Sequence, residues 1–256
     1  MMTSMLSGKK GLVVGIANDA SIAWGCAAAF RAEGAELAVT YLNEKAEPHV
    51  RPLAEKLEAP ICMKLDVTRP EEQEALFSAI KQKWGQLDFL LHAIAFAPKA
   101  DLNGRVTDSS AAGFAQAMDI SCHSLMRLCR SAEPLMTDGG AVLTLSYYGA
   151  EKVVTNYNIM GPIKAALESS VRYLATELGA QKIRVNALST GPVKTRAASG
   201  LTDFDKLMED AAAHAPLHQL VTLEQIGAMA AFLVSDHAPT VTGQTIYVDA
   251  GYNIRG

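Results

Sequence analysis

Seven short apolar runs that alternate with longer segments of helical periodicity most constrain what this chain can fold into. Most of the runs are continuously apolar rather than alternating, which is typical of strands covered on both faces. The predicted strands span residues 11–14, 36–41, 61–65, 88–93, 140–146, 184–188 and 245–248. The predicted helices span residues 21–33, 46–57, 70–84, 114–136, 156–178, 203–213 and 223–234. Strands that alternate with helices predict a parallel sheet with right-handed crossovers.

Local signals at several helix ends agree with this pattern. Thr222 and Gln225 have the spacing of a capping box, and Pro70 suits the first position of a helix. Gly34 and Gly179 are placed to end their helices in the left-handed conformation.

No linker rich in Pro, Gly or Ser interrupts the alternation, so we expect one domain over residues 1–256. The expected fold class is α/β, a Rossmann-like doubly wound parallel sheet of about seven strands with helices on both faces. A chain of this length buries enough surface to need neither disulfides nor a structural metal.

Composition and charge disfavour several classes of function. The formal net charge of −4, with scattered basic residues, disfavours nucleic acid as a partner. No apolar run approaches the roughly 18 residues of a membrane span, and we expect a cytoplasmic protein with no stable membrane association. His214 and His218 are separated by Pro216, and no metal site is predicted. The cysteines form no C-x-x-C pair and are interpreted as reduced core residues: Cys26, Cys62, Cys122 and Cys129.

The first predicted strand leads into a turn that is a candidate phosphate-binding site. In a doubly wound sheet, ligands bind beyond the carboxyl ends of the strands, where the strand order reverses. The turn contains Gly15 and Gly25 but not the G-x-G-x-x-G pattern. The small residues Ala17, Ser21 and Ala23 would still let a pyrophosphate approach the N-terminus of the helix. By itself, the turn is equally typical of an ordinary strand–turn–helix unit.

The ends of the second and third predicted strands bear on the choice of coenzyme. An acidic residue after the second strand usually binds the ribose of NAD, whereas a basic one accommodates the 2′-phosphate of NADP. No arginine occurs in this turn, Leu42 offers no hydrogen bond, and Glu44 would repel an additional phosphate. The sequence therefore favours NADH over NADPH. Asp66 follows the third strand, where it would either accept the adenine amino group or cap a turn.

A tyrosine and a lysine lie between the fifth predicted strand and the long helix after it. Tyr157 and Lys164 are seven residues apart, so they would share one face of a continuous helix with about 3.6 residues per turn. An ammonium group near a phenol lowers the phenol's pKa from about 10, which favours proton donation at neutral pH. Such pairs also occur by chance, and the position at the sheet's carboxyl edge is what favours catalysis. Pro162, between the two, would remove a backbone donor from the helix.

These motifs resemble those of the short-chain dehydrogenase/reductase superfamily, and within it those of the enoyl-acyl-carrier-protein reductases. The resemblance extends from about residue 6 to residue 254 and is carried by 15–23, 66–67, 93–98, Tyr147 with Tyr157-x6-Lys164, 184–187, 191–195 and 248–251. Ordinary members of the superfamily have Tyr-x3-Lys with a preceding serine. The six-residue spacing with an upstream tyrosine is the signature of the enoyl reductases.

The resemblance implies hydride transfer from NADH to C3 of a trans-2-enoyl thioester on acyl carrier protein. Lys164 would hold the nicotinamide ribose, Tyr157 would stabilise the enolate oxygen, and Tyr147 would help orient the thioester. The implied cofactor-binding residues are Gly15, Ser21, Ile22, Leu42, Asp66, Val67, Ile94, Lys164, Val193 and Thr195. The implied substrate-binding residues are Phe96, Ala97, Tyr147, Met160 and Phe204, of which Phe96, Met160 and Phe204 would equally suit a core.

The resemblance also implies a homotetramer and a substrate-covering segment at about residues 194–214, for which a plain surface loop is the alternative. Lys194, Arg196 and Lys206 are candidates for contact with an acidic carrier protein.

The long spacing between tyrosine and lysine has a chemical rationale. A carbonyl reductase delivers hydride to the carbon whose oxygen the tyrosine protonates, whereas an enoyl reductase delivers it to C3 while charge develops on the oxygen at C1. Two other functions stay open: a carbonyl- or enone-reducing member of the superfamily, and a dinucleotide-binding relative without activity. Turnover of crotonyl but not ketoacyl thioesters excludes the first, and cofactor binding without turnover would identify the second.

Overall fold

The computed structural model describes residues 4–195 and 203–255. Within them, seven strands form one sheet: β1 (Lys10–Val14), β2 (Glu36–Tyr41), β3 (Ile61–Lys64), β4 (Phe89–His92), β5 (Gly140–Tyr147), β6 (Ile183–Thr190) and β7 (Thr245–Val248). The strand order is β3-β2-β1-β4-β5-β6-β7, and every neighbouring pair is parallel. The predicted strands are confirmed, and their ends differ from the prediction by no more than two residues.

Nine α-helices connect and flank these strands in the described ranges. They are α1 (Ile22–Ala32), α2 (Glu47–Lys56), α3 (Pro70–Trp84), α4 (Lys99–Leu102), α5 (Ala111–Met118), α6 (Ser124–Ala132), α7 (Met160–Leu178), α8 (Phe204–His214) and α9 (Leu223–Val234). Short 3-10 turns lie at Val106–Asp108, Glu133–Leu135, Tyr148–Ala150, Gly179–Gln181 and Tyr252–Ile254. The capping box of α9 is confirmed, and Pro70 is the first residue of α3 as predicted.

Two helix ends differ in how well the sequence predicted them. Gly34 has a φ of +90°, as expected for a left-handed residue that ends a helix. Gly179 has a φ of −61°, so the prediction of a left-handed cap there is wrong. A 3-10 turn continues the chain beyond α7, and Lys182, with a φ of +61°, makes the reversal instead.

The helix predicted at residues 114–136 is interrupted. It begins earlier, at Ala111, because the Ser110 hydroxyl accepts the N–H of Gly113 at 2.9 Å. A π-helical segment, Asp119–His123, then separates α5 from α6. Segments of this kind insert an extra residue into a helix and often lie at functional sites.

Helices pack on both faces of the sheet because the side chains of a strand alternate between its faces. In β1, Leu12 and Val14 belong to the core shared with α3, α6 and α7. Val13 belongs to the core on the opposite face, shared with α1, α2 and α9. The Rossmann-like doubly wound fold predicted from the sequence is therefore confirmed.

The remaining predictions from composition concern cysteines and membrane spans. All four cysteines are free thiols; Cys26, Cys122 and Cys129 are buried, and Cys62 is half-buried. Across residues 4–195 and 203–255, no helix is both long enough and apolar enough to traverse a bilayer.

Candidate active site

The strand order reverses direction between β1 and β4, and the carboxyl ends of the strands lie along one edge of the sheet. In doubly wound sheets, ligands bind outside this edge at such a switch point. The residues that the sequence analysis singled out follow six different strands at this edge. The fold therefore brings candidates that are far apart in sequence to one side of the sheet.

The turn after β1, residues 15–21, is called the cofactor turn below. Gly15 has a φ of +112°, and a Cβ atom there would lie 2.1 Å from the carbonyl oxygen of Ala93. A side chain at this position would clash with the chain that leaves β4. The glycine is therefore required for the close approach of these two segments beside the N-terminus of α1.

Ser21 shapes the rest of the cofactor turn. Its hydroxyl accepts the N–H groups of Ala17 and Asn18, each at 3.1 Å, and donates to the Asn18 carbonyl. Helix α1 begins at Ile22, and the first N–H groups of a helix have no partner within it. Those groups and the helix dipole favour an anion at this end. Gly15, Ser21 and Ile22 therefore fit the phosphates of a dinucleotide.

The residues beyond β2 form a charged cluster that the sequence analysis saw only in part. Leu42 is 54% exposed, and the Glu44 carboxylate pairs with the Lys64 amine at 3.0 Å. The same amine pairs with Glu72 at 3.1 Å. Lys64 is the last residue of β3 and lies in register beside Tyr41, so a cation reaches this turn from the neighbouring strand. Two carboxylates pair with that cation, so its positive charge is offset at this turn.

Asp66 caps its own turn. Its Oδ1 atom accepts the N–H of Thr68 at 2.9 Å and the Thr68 hydroxyl at 2.7 Å. This confirms the turn-capping interpretation, and the adenine contact stays a prediction. Val67 is buried, and its carbonyl accepts a hydrogen bond of 2.9 Å from Arg127, which also pairs with Asp119.

Ser121, in the π-helical segment, fixes the loop after β4. Its fully buried hydroxyl accepts the Phe96 N–H at 2.8 Å and donates to the Phe96 carbonyl at 2.9 Å. The Phe96 side chain is 43% exposed, so it is not a core residue. Ala97 packs against the cluster that contains Tyr157, whereas Ile94 packs against the core shared with α3.

His92 ends β4 as a buried, neutral residue. Its Nδ1 atom is 2.8 Å from the Thr144 hydroxyl, and its Nε2 atom is 2.8 Å from the Ser124 hydroxyl. Burial, and then the nearby charge of Lys164, lower the pKa of His92 to about 3. The imidazole therefore holds the strand end without carrying charge near neutral pH.

Residues 148–159, called the catalytic turn below, follow β5. Tyr147, at the end of β5, packs its ring against Tyr157 in an edge-to-face contact, with centroids 4.8 Å apart. Gly149 permits this arrangement, because a Cβ atom there would lie 2.4 Å from the Tyr157 ring. The ring of Tyr148 instead packs against Tyr252. The structure thus separates the two adjacent tyrosines: Tyr147 joins the candidate site and Tyr148 does not.

The predicted helical register of Tyr157 is wrong. Helix α7 begins at Met160, and Tyr157 lies in a turn between Asn156 and Asn158, whose φ angles are +65° and +48°. Tyr157 and Lys164 therefore do not share a helical face. Pro162 lies in the first turn of α7, where its missing N–H leaves no helical hydrogen bond broken.

The expected effect of the lysine on the tyrosine is also wrong. Burial, followed by the nearby Tyr147 and Glu168, raises the pKa of Tyr157 well above its usual range. Burial also raises the pKa of Tyr147, and its buried hydroxyl has no hydrogen-bond partner among the described residues. Both phenols are therefore protonated near neutral pH and act as hydrogen-bond donors rather than as phenolates.

Lys164 is only 5% exposed, and its amine donates to the carbonyl of Leu145 at 2.6 Å. Burial lowers the pKa of Lys164 to about 8, opposed first by the negative charge of Glu168. An ammonium group bound to the Leu145 carbonyl, two residues before Tyr147 on β5, supplies positive charge among buried groups.

The arrangement matches known proteins along almost the whole chain. Residues 15–253 match the family model described as Enoyl-(Acyl carrier protein) reductase. The chain belongs to the enoyl-acyl-carrier-protein reductase family. It is 52% identical over 256 residues to the Rickettsia felis enoyl-[acyl-carrier-protein] reductase [NADH], covering 100% of this chain and 98% of the relative.

Two solved structures of family members are also similar. The Anaplasma phagocytophilum reductase, solved in complex with NAD, has a TM-score of 0.95 and 49% identity, covering 98% of this chain and 96% of that one. The Bacillus cereus reductase, solved with NADP+ and an indole naphthyridinone, has a TM-score of 0.96 and 47% identity, covering 98% and 99%.

The remaining family positions lie at the rim of the site. Met160 is buried in one cluster with Tyr157, which agrees with the core alternative, and its contact with substrate stays a prediction. Val193 packs against the core shared with α1, and the N–H of Thr195 donates to the Val193 carbonyl at 2.8 Å. Phe204 is half-buried at the start of α8. Arg196 and the rest of residues 196–202 lie outside the described residues.

Several residues that organise this family's site here were missed by the sequence analysis. They are Ser121, His92, Arg127, Ser146 and Glu168. Most of their partners lie more than twenty residues away, and no local pattern reveals such contacts. Glu168 had one signal, since it lies four residues after Lys164 on the same helix. In the described part of the chain, no cluster of His, Cys, Asp or Glu could hold a metal ion.

Proposed function

We propose that this chain reduces the carbon–carbon double bond of a trans-2-enoyl thioester on acyl carrier protein, with NADH as the reductant. The observation that carries the proposal is the Tyr147–Tyr157 ring contact together with the buried Lys164 amine, which binds the Leu145 carbonyl two residues before Tyr147, at the same sheet edge as the cofactor turn. The names of the relatives support the substrate and the coenzyme.

The cofactor side of the proposal assigns each part of the dinucleotide to residues of this chain. Gly15, Ser21 and Ile22 would hold the pyrophosphate at the N-terminus of α1. Leu42 would border the adenosine ribose, with Asp66 and Val67 near the adenine. Ile94, Val193, Thr195 and Lys164 would lie along the nicotinamide half. When bound, the coenzyme supplies a hydride.

On the substrate side, Tyr157 would donate a hydrogen bond to the thioester oxygen as negative charge develops there. A buried donor with a raised pKa keeps its proton and stabilises an oxyanion strongly, because little water screens it. Tyr147, whose ring fixes that of Tyr157, would orient the thioester. Phe96, Ala97, Met160 and Phe204 would form apolar walls for the acyl chain.

Lys164 would keep its positive charge close to the reacting atoms. One of its N–H groups is used by Leu145, and the remaining two are available to the nicotinamide ribose. In this proposal the oxyanion donor, Tyr157, lies on the catalytic turn, and the fixed cation, Lys164, lies on α7.

The test follows the oxidation of NADH and NADPH separately, with crotonyl and 3-ketoacyl thioesters as substrates. We expect turnover of the crotonyl thioester with NADH to a saturated product, and none of the ketoacyl thioester. Turnover of ketoacyl thioesters alone would favour the carbonyl reductase alternative. Coenzyme binding without any turnover, in folded protein, would favour a non-catalytic relative.

We further propose one domain over residues 1–256 that assembles as a homotetramer in the cytoplasm. The exposed Met126 on α6, 36% exposed, and Tyr173 on α7, 70% exposed, support an interface on these helices. Light scattering after size exclusion tests the assembly, and a monomer at micromolar concentration would contradict it.

We propose that the segment at about 194–214 covers the substrate and meets the carrier protein. Lys194 pairs with Asp205 at 2.9 Å, and both side chains are exposed, which links the start of the segment to the first turn of α8. Lys206 adds a positive charge next to this pair, and Arg196 lies outside the described residues.

A further inference from the structure

Glu168 carries a half-buried carboxylate that takes no direct part in the proposed reaction. It lies on α7, one helical turn after Lys164, and is half-buried between the helix and the sheet. Placing a carboxylate in such surroundings is unfavourable unless donors compensate it. Its contacts therefore indicate what it does.

The carboxylate is held from the sheet. The Ser146 hydroxyl of β5 donates to Glu168 Oε1 at 2.5 Å. The Thr245 hydroxyl of β7, like that of Ser146, lowers the pKa of Glu168 against the effect of burial. Hydrogen bonds from a hydroxyl to a carboxylate favour the charged form of the acid. Glu168 is thus fixed against the strand that carries the candidate catalytic residues.

Three consecutive residues at the end of β5 are tied to three candidate groups. The Leu145 carbonyl accepts from the Lys164 amine, the Ser146 hydroxyl donates to Glu168, and the Tyr147 ring packs on Tyr157. A shift of this strand end would therefore move the lysine, the glutamate and the tyrosine pair together.

We infer that Glu168 is a positioning residue: bound to Ser146 one turn along α7 from Lys164, it holds the Lys164 amine at the end of β5 and supports its positive charge during the reaction. The inference rests on the proposed function, because it concerns the same site. Glu168 acts through Lys164, whereas Ser146 fixes the glutamate to β5.

The charges around both groups agree with this assignment. The Lys164 amine donates to the Leu145 carbonyl, and the negative charge of Glu168, one turn further along α7, raises the pKa of Lys164 against the effect of burial, as does the Cys122 thiol in the π-helical segment. His92 on β4 is neutral near pH 7, so it adds no positive charge that would oppose the ammonium form. Glu168 is raised in pKa by burial, and the donors Ser146 and Thr245 oppose that rise, as do the more distant charges of Arg172 and Lys164. The hydroxyls of Tyr157 and Tyr247 also lie within the field of Glu168.

The sign of the pH effect follows. Lys164 serves the reaction as an ammonium ion and loses its proton as pH rises through about 8. Removing the Glu168 charge makes the ammonium less stable, so deprotonation moves to lower pH. A neutral glutamine at this position therefore narrows the active range from its alkaline side.

The test measures kcat/KM for crotonyl thioester with NADH across the neutral and alkaline range. The alkaline limb is the range in which kcat/KM falls as pH rises. In Glu168→Gln, we expect this limb to begin about one pH unit lower than in the wild type. Glu168→Asp retains the charge and should restore most of the wild-type limb. Glu177→Gln, on an exposed position of the same helix, is the matched control and should leave the limb unchanged.

A second variant keeps the inference testable if Glu168→Gln does not fold. Ser146→Ala frees the carboxylate from β5, and we expect kcat/KM to fall about fivefold, with a smaller shift of the limb in the same direction. Ser170→Ala controls for the loss of a buried hydroxyl: the Ser170 hydroxyl on α7 donates to the Ala166 carbonyl and lies 3.5 Å from the Cys122 thiol, with no hydrogen bond to Glu168. An active wild type whose limb coincides with that of Glu168→Gln overturns the inference. An inactive wild type overturns the proposed function instead.

Discussion

The cofactor turn and the catalytic turn lie at the same edge of the sheet but are held in different ways. In the cofactor turn, the Ser21 hydroxyl satisfies neighbouring backbone groups within four residues. In the catalytic turn, the Asn158 side chain reaches Leu102 at 2.6 Å, and the Tyr157 ring packs against Gly149. Beyond Gly15, hydrogen bonds within four residues shape the first turn, whereas contacts with Leu102 and with the Tyr147 ring help to hold the second.

This difference separates binding from chemistry. The cofactor turn presents backbone N–H groups whose positions depend on few side chains, which suits a phosphate group common to all dinucleotides. The catalytic turn buries the Tyr157 phenol in an apolar cluster against Tyr147 of β5, which suits a hydrogen bond that strengthens as charge develops. Variants on the two turns should therefore affect different kinetic constants.

The largest effect is expected on the catalytic turn. Tyr157→Phe removes the donor to the developing oxyanion, and we expect kcat/KM for crotonyl thioester to fall by about 10²- to 10³-fold. NADH affinity, measured by fluorescence titration, should change by less than about twofold, since the cofactor turn is untouched. Tyr148→Phe removes an adjacent buried hydroxyl and should retain activity. Equal losses of kcat/KM in Tyr157→Phe and Tyr148→Phe would contradict the specific role of Tyr157 in the catalytic turn.

A variant of the cofactor turn is expected to reduce turnover less than Tyr157→Phe does, and to weaken NADH binding more. Gly15→Ala places a methyl group against Ala93 in a backbone region that favours glycine. We expect NADH affinity to fall about tenfold or more and the free energy of unfolding to fall by about 2 kcal/mol. Gly179→Ala, with a φ of −61° and open space around it, should be neutral in thermal denaturation. Unchanged NADH affinity in Gly15→Ala would contradict the role of this turn.

The smallest effect concerns the charged cluster beyond β2. Glu44→Gln removes one of the two carboxylates on Lys64, so kcat/KM with NADPH should rise about threefold while that with NADH stays constant. Adding Lys64→Met to this variant should abolish the gain. A rise with both coenzymes would show that the cluster does not discriminate between them.

The same difference explains what could be predicted from the sequence. The strands and the Thr222–Gln225 capping box follow from patterns within a few residues, and so does the shape of the cofactor turn. The sequence predicts a helix at Tyr157, because asparagine tolerates the left-handed conformation of Asn156 and Asn158 but does not require it. The contact of Asn158 with Leu102 helps to hold that conformation, and it lies outside any local pattern. Its raised pKa follows from burial, which spacing does not reveal.

Contacts between residues of different strands could not be predicted from local sequence patterns either. Lys64 lies in the charged cluster beyond β2 because β3 pairs in register with β2. Ser121 binds Phe96 from the π-helical segment. Both contacts depend on strand order and helix irregularity. Those features are set by the whole fold rather than by the neighbouring residues.

One measurement tests the central claim most directly, namely that Tyr157 stabilises an oxygen at C1 while hydride adds two carbons away. The reaction is run with NADH deuterated at the transferable position of C4, and the saturated thioester is analysed by mass spectrometry and NMR. The account predicts deuterium at C3 and a solvent-derived proton at C2, in the wild type and in the residual product of Tyr157→Phe. Deuterium at C1 or C2, or a product without deuterium, would contradict it.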